Sequence, residues 1–538
     1  MTLRDPGRIT YRERPAWRSI AAAIPRNATE GVPYSPFRPL PEWCKPIGVA
    51  RETLIVEYER LWAVGLDVGT GGVRALALDL TGRVVAAGRA EFPAESKCSE
   101  GVFAEQDPHA WTKAAQAALC SMSAALPPRG KIVGVAVDAT SGTFLLADRD
   151  YRPLAPAIMY NDLRAAAQAD RAAGALRGTL GPYGIEIAAA FALPKILHLA
   201  ATQPEVFCRC RHVVHQTDFV VGMLCGRYDV TDISTALKTG ADPGTLAWPE
   251  AIDRELGLSR DLLPRVVLPG TPIGEVTPAA ASATGLPAGT PVVAGCTDGT
   301  AGCLASGAAL AGDLNVTLGT TLVFKAVAAQ PLVDPAGAVY NHRHPAGGFL
   351  PGAASSTGGA WVADQFGKAD LEELGRQAAE LLPTRRLVYP LTQTGERFPF
   401  ASPTARGFGL EEIAPPAERF AAGMEGTAYI ERLGVERFES LGLRIGPTIF
   451  ATGGAAAGDT WLRIRASVMR RTYAVPEQPE CAVGAAVLAA AAFLGDFASA
   501  AERLVRIGRR VEPDPLLASV YDEQFTNFKA ELHRRGYL

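Results

Sequence analysis

Asp298 is a carboxylate set among small and apolar residues, in Gly295-Cys296-Thr297-Asp298-Gly299-Thr300 at the end of the apolar run Pro291–Gly295. Charge in such a setting is costly unless it has a partner or a task. One task is to take the proton from a hydroxyl, a poor nucleophile, as it attacks phosphorus. The other reading is a cap for a helix that starts near Gly299. Asp67-Val68-Gly69-Thr70-Gly71-Gly72 and Gly319-Thr320-Thr321 each lie between two apolar runs. Tight turns of this kind present backbone N–H groups and a Thr hydroxyl to phosphate oxygens. Asp67, just before the first turn, can orient a water on Mg²⁺, an ion that prefers oxygen ligands. Each turn alone also reads as a plain hairpin. Two of them facing each other would clamp one triphosphate.

Gly453-Gly454-Ala455 lies between an apolar run and a helical pattern. Small residues there permit flat contact with an adenosine, and a following helix N-terminus favours anions. Gly358-Gly359, ahead of a helix over Ala360–Phe366, can serve the same nucleotide. Tyr160-Asn161-Asp162-Leu163-Arg164 offers a ring, an amide, a carboxylate and a guanidinium within one turn. Such a mix can read several hydroxyls. Equally, Asp162 can cap a helix with Arg164 solvated. No G-x-x-x-x-G-K-[ST] and no G-x-G-x-x-G occurs, so neither a Walker loop nor a dinucleotide fingerprint is present.

The elements that must position these residues repeat. The run Leu61–Asp67 predicts a buried strand, Val73–Asp79 a second and Arg83–Phe92 a third, as an antiparallel meander. Asp107-Pro108 opens a helix whose inner face is Trp111, Ala115, Ala118 and Met122. Ile132–Val137 predicts another buried strand. After residue 290 the pattern returns: strands at Pro291–Gly295, Leu314–Leu318, Leu322–Ala326 and Thr448–Ala451, then a helix from Asp459 to about Arg470. Each half holds a strand, a Gly/Thr turn and a returning strand. This duplication implies two similar α/β lobes facing a cleft.

The 538 residues are too many for one ordinary core. The net charge of −3 gives no basic excess for nucleic acid or an anionic membrane. The longest apolar run, Ala482–Leu494, is too short to span a bilayer and predicts a buried Ala-rich helix. Nine scattered Cys argue against a disulfide framework and for a reducing, cytoplasmic setting. Residues 1–60 are rich in Pro and Arg, lack apolar periodicity, and read as a mobile N-terminal extension not needed for catalysis.

Taken in order, these segments resemble the FGGY carbohydrate kinases, of the actin/hexokinase-like superfamily. The resemblance runs from about Leu61 to Leu494. It rests on Gly65-Leu-Asp-Val-Gly-Thr70, Glu105-Gln-Asp-Pro108 with Trp111, Tyr160-Asn-Asp-Leu-Arg164, Gly295-Cys-Thr-Asp-Gly299, Leu318-Gly-Thr-Thr321, Gly395-Glu-Arg-Phe-Pro-Phe400, Thr452-Gly-Gly454 and Gly484-Ala-Ala486. Asp138-Ala-Thr-Ser-Gly-Thr143, Ser355-Ser-Thr-Gly-Gly359 and Trp461-Leu-Arg-Ile-Arg465 look like the D-ribulose kinase branch, also labelled xylulose kinase-like.

The resemblance implies two ribonuclease H-like lobes, at 61–304 for sugar and 305–538 for nucleotide, with the active site between them. It implies ATP and Mg²⁺ as cofactors, with Asp67 and Thr70 at the phosphates and metal. Gly319, Thr320, Gly358, Gly453 and Gly454 would hold the nucleotide. Ser141 and Asp298 would touch the sugar, with Asn161, Asp162 and Arg164 beside them. The partners are then a small sugar and ATP, with room for a homodimer. Two departures stand out. The loop usually Gly-Gly-Gly-Ala-Lys-Asn is Gly453-Gly454-Ala455-Ala456-Ala457-Gly458 here, and Tyr160 replaces a common Trp. The first favours a second class of function, an actin-like sensor that transfers no phosphate; Asp298, which a sensor need not keep, argues against it.

Overall fold

The computed structural model describes residues 57–538. The expected extension at 1–60 therefore falls almost wholly outside the described residues. Its last residues belong to the fold. The Tyr58 carbonyl accepts the Leu80 N–H at 3.1 Å, and Arg503 lies 4.5 Å over the Tyr58 ring.

Two sheets dominate. In the first, Leu61–Val68 pairs antiparallel with Gly72–Asp79, which pairs antiparallel with Val84–Glu91. On its other side Leu61–Val68 pairs parallel with Lys131–Ala139, followed by Pro291–Val293 and the antiparallel edge Pro272–Glu275. In the second sheet Leu314–Leu318 pairs antiparallel with Leu322–Ala326, which pairs antiparallel with Phe349–Ala354. Leu314–Leu318 then pairs parallel with Thr448–Thr452, followed by Thr472–Pro476 and the antiparallel edge Ile507–Val511. Order and direction are the same in both, so the duplication read from the sequence is a structural one. A further strand, Tyr340–Arg343, extends the second sheet. A smaller five-stranded sheet carries Phe144–Ala147 and His212–His215 in the first lobe.

Asp107 caps the helix Pro108–Ala124 by accepting the His109 N–H, and Trp111, Ala115, Ala118 and Met122 are all fully buried against the first sheet. Burying such a tryptophan stabilises by about 2–3 kcal/mol. The second sheet is covered by Pro416–Ser440, Asp459–Met469 and Pro515–Arg534, around an aromatic core that includes Trp361, Phe324, Phe398 and Tyr429. Arg465, in the Trp461–Arg465 segment, forms a buried ion pair with Glu431, which also accepts the Tyr473 hydroxyl at 2.7 Å. Among the described residues no helix is long and apolar enough to cross a membrane.

The chain after Leu304 does not all belong to the second sheet, as a division at 304/305 would have it. The helix Cys481–Leu494 returns to pack on the first, sharing a core with Ala63, Leu78, Ala136 and Leu304. Its Ala and Gly content is what this close approach needs. A Cβ on Gly65 would lie 1.8 Å from the Ala482 carbonyl oxygen, and one on Gly484 would lie 2.0 Å from that of Ala301. The strand expected over Pro291–Gly295 stops at Val293 and resumes at Cys296–Thr297.

Candidate active site

Three aspartates stand at or just past the ends of the parallel strands of the first sheet. Asp67 stands opposite Asp138 in the parallel register, and Asp138 stands opposite Cys296, two residues before Asp298. Side chains alternate across a strand. Gly65 and Asp67 therefore share the face on which Cys481–Leu494 packs, and so do Gly134 and Asp138, since Gly134 faces Ala489. The carboxylates lie at the N-terminal end of that 14-residue helix, where Cys481 donates its thiol to the Asp298 carbonyl at 3.4 Å. The positive end of the helix favours anions here.

Asp298 opens the short helix Asp298–Leu304, with Thr297 in the cap position. Its Oδ1 accepts the Gly299 N–H at 2.6 Å, and its Oδ2 meets no donor among the described residues. The cap-like contact thus uses one oxygen and leaves the other available. Burial raises the Asp298 carboxyl above its ordinary range; the Gly299 N–H, Lys325 and Lys238 oppose the rise. Burial pushes Asp67 up to about 6, with Arg74 opposing and Asp298 adding to the rise.

The turn Thr140–Thr143 forms one wall. Thr140 and Thr143 bond through their hydroxyls at 2.7 Å, Gln216 accepts from Thr140 at 2.6 Å, and the Tyr160 N–H bonds Thr143 at 3.0 Å. Lys238 donates to the Ser141 carbonyl at 2.9 Å, and buried Lys195 to the Met159 carbonyl at 2.8 Å. Burial lowers Lys195 to about 7. The two lysines thus hold the loops around Ser141 and Tyr160. The Ser141 hydroxyl is half-buried and finds no partner among the described residues. From the second lobe, buried Lys325 donates to the Gly299 carbonyl at 2.8 Å, which ties the strand Leu322–Ala326 to the Asp298 helix.

Lys195, Lys238, Lys325 and Asp138 were not among the residues expected at the site. Their signal in the sequence is a lone charge inside an apolar run, as in Leu193-Pro194-Lys195-Ile196-Leu197 and Val323-Phe324-Lys325-Ala326.

Two expected sugar contacts, Asp162 and Arg164, spend their polar atoms on protein partners. Asp162 is fully buried and accepts from the Ala104 N–H at 2.7 Å and from the Arg164 backbone and guanidinium. Arg164, with a side chain only 5 % exposed, also pairs with Glu105 at 2.7 Å and lies 4.6 Å over the Phe103 ring. The alternative of a capping Asp162 with a solvated Arg164 does not describe them; together they fasten a loop. The next helix is Ala166–Leu180 and has Ala165 in its cap position. Asn161 is exposed beside them.

The two Gly/Thr turns form where the sequence puts them. Gly69–Gly72 closes with the Gly69 N–H on the Gly72 carbonyl at 3.0 Å, and Gly319–Thr321 with the Gly319 N–H on the Thr321 carbonyl at 3.1 Å. Thr70, Gly319 and Thr320 are exposed. Gly358 is different: a Cβ there would lie 2.3 Å from the Thr321 Cα, so packing alone accounts for the glycine. The segment backs the turn, with Gly359 N–H on the Gly319 carbonyl and Ala360 N–H on that of Thr320. It is anchored by buried Glu396, which accepts from the Ser356 N–H and from the hydroxyls of Thr357 and Tyr389 at 2.7 and 2.9 Å. Gly453 has φ +88° and a Cβ there would meet the Leu318 oxygen at 2.5 Å; Gly454 faces open space. Arg509 holds the loop after them through the carbonyls of Ala456 and Ala457 and the Asp459 carboxylate.

Residues 62–305 match the N-terminal domain, and residues 314–493 the C-terminal domain, of the FGGY family of carbohydrate kinases. The chain belongs to this family. As an FGGY kinase it is an ATP-dependent carbohydrate kinase. It is 25 % identical over 492 residues to a xylulose kinase of Bacillus subtilis (strain 168), covering 87 % of this chain and 96 % of that one. An autoinducer-2 kinase of Klebsiella pneumoniae subsp. pneumoniae is 28 % identical over 511 residues, covering 87 % and 93 %. The solved xylulose kinase of Rhodospirillum rubrum superposes with a TM-score of 0.77 at 25 % identity, covering 88 % of this chain and 98 % of that one.

Proposed function

We propose that this FGGY kinase transfers the γ-phosphoryl group of ATP to the terminal hydroxyl of a ketopentose, D-ribulose first, with Asp298 as general base. The observation that carries the reading is the placing of Asp298. One oxygen is pinned by its neighbour's N–H, the other is available, and buried Lys325 and half-buried Lys238 lie near enough to oppose the effect of burial. The sugar oxygen forms a bond to phosphorus, the bond from phosphorus to the β–γ bridging oxygen breaks, ADP leaves, and the hydroxyl proton passes to Asp298.

The remaining roles follow from position. Exposed N–H groups and hydroxyls of the turns at Thr70 and Thr320 hold the phosphates, and the open face of Gly454 receives the adenosine. Ser141, with its hydroxyl unpaired, reads the sugar. Asp67, at the mouth of the strands, fits a divalent cation bound with the nucleotide; when bound, such an ion neutralises charge on the phosphates.

D-Ribulose rests on the resemblance of Asp138–Thr143, Ser355–Gly359 and Trp461–Arg465 to the ribulose kinase branch. D-Xylulose is the second reading, favoured by the xylulose kinases among the relatives. ADP release measured over D-ribulose, D-xylulose, sedoheptulose and erythritol separates them. The proposal expects the highest kcat/KM with D-ribulose; a polyol that outperforms every ketose contradicts it.

A further inference from the structure

Asp138 is the one acidic residue of the strand Lys131–Ala139, which is apolar from Ile132 onward apart from it, and it is 0 % exposed. Neither of its oxygens accepts from a donor among the described residues, and a side chain within hydrogen-bonding reach is another acid, Asp67. Every other charge that bears on it is negative. Asp67 sits beside it in register, and Asp298 lies two residues past Cys296, its partner on the other side. The nearby cations serve the other two acids, Arg74 at Asp67 and the two lysines at Asp298.

A buried carboxylate without a partner costs several kcal/mol in a finished core. A Ser or an apolar residue would suit the strand better. The fold retains a destabilising group at the place where the substrate phosphates arrive, which points to a role outside the core. What would complete the site is positive charge, on the face shared by Asp67 and Asp138.

We propose that Asp138 is the second carboxylate of the divalent-cation site, set behind Asp67 and left without a cationic partner until the cation is bound. This rests on the kinase reading above. Among the described residues no three His, Cys, Asp or Glu side chains converge to enclose an ion by themselves. That suits Mg²⁺ or Mn²⁺ delivered with a nucleotide, since such ions take one or two carboxylates and complete their shell with water and phosphate oxygens. Asp138 is a positioning residue here: it acts on the cation together with Asp67 and touches neither sugar nor base.

The test reads metal binding without turnover. Mn²⁺ is titrated into the full-length protein with saturating ADP and no sugar, and free Mn²⁺ is followed by its electron paramagnetic resonance signal. Removing a carboxylate that supports a metal costs about 10–100-fold in affinity. Asp138→Asn is expected to lose about that much, and Asp138→Ser, of smaller volume, the same. Thermal unfolding without Mn²⁺ should show both variants folded and no less stable than wild type. Mn²⁺ should then raise the Tm of wild type more than that of either variant. Equal Mn²⁺ affinity in wild type and a folded variant overturns the proposal. Failure of the wild type to bind ADP with Mn²⁺ would instead sink the kinase reading beneath it.

Discussion

Two buried carboxylates, one in each lobe, have opposite surroundings. Glu396 is 3 % exposed and accepts from the N–H groups of Ser356 and Arg397 and from the hydroxyls of Ser355, Thr357 and Tyr389. Asp138 is 0 % exposed and accepts from nothing. Both stand behind a Gly/Thr turn of the same topology. The first acid is finished by the protein and holds the Ser355–Gly359 segment against its turn. The second is left unfinished beside two further acids. A common scaffold has thus been specialised, with a fully hydrogen-bonded grip in one lobe and a cluster of acids in the other. The threonines Thr317 and Thr452, joined at 2.7 Å near the second turn, make the same point, because the matching strands of the first lobe carry Asp67 and Asp138.

The contrast breaks most visibly at Glu396. Glu396→Ala strands several buried donors and should cost about 3 kcal/mol or more, read as a lower midpoint in urea unfolding. If stability is unchanged, Glu396 is not the anchor described. Next in size is the nucleotide loop. Gly454→Val places a branched side chain in open space on the proposed adenosine side, so the KM for ATP should rise several-fold while the Tm holds. An unchanged KM removes this loop from the nucleotide site. Gly453→Val is the poorer probe, because it strikes the Leu318 backbone.

The smallest effect expected is on the acid limb of kcat/KM for the sugar. The Asp298 carboxyl is raised, so activity should fall on acidification at a pH above the ordinary Asp value of 3.8. Lys238 opposes that rise. Lys238→Met removes a charge that favours the carboxylate, so the limb should move to higher pH. A shift to lower pH would contradict the proposed pairing.

Strands and turns were legible where apolar runs end abruptly in Gly and Thr. Leu314–Leu318, Leu322–Ala326 and Ala360–Phe366 fall where the sequence puts them. Long-range partners were not. Asp162 and Arg164 have the look of a hydroxyl-reading loop until Ala104 and Glu105, nearly sixty positions away, take up their polar atoms. Gly358 looks like a nucleotide glycine until the turn at Thr321 fills the space. The return of Cys481–Leu494 to the first sheet is likewise set by the small faces of Gly65 and Gly484, which no local pattern reveals. Asp138 could have been noticed as a lone acid near the end of an apolar run, but its lack of a donor or a cation is a fact of three dimensions.

Asp298→Asn tests the central claim most directly, with turnover on the best sugar and ADP affinity measured on the same sample. Asn keeps the size of the side chain, and its amide oxygen can still accept the Gly299 N–H, so the fold and ADP affinity should hold. It cannot take a proton at neutral pH. General-base catalysis contributes roughly 10²–10⁴-fold, and kcat should fall by about that much. A folded Asp298→Asn enzyme that binds ADP normally and turns over at near the wild-type rate would contradict the account.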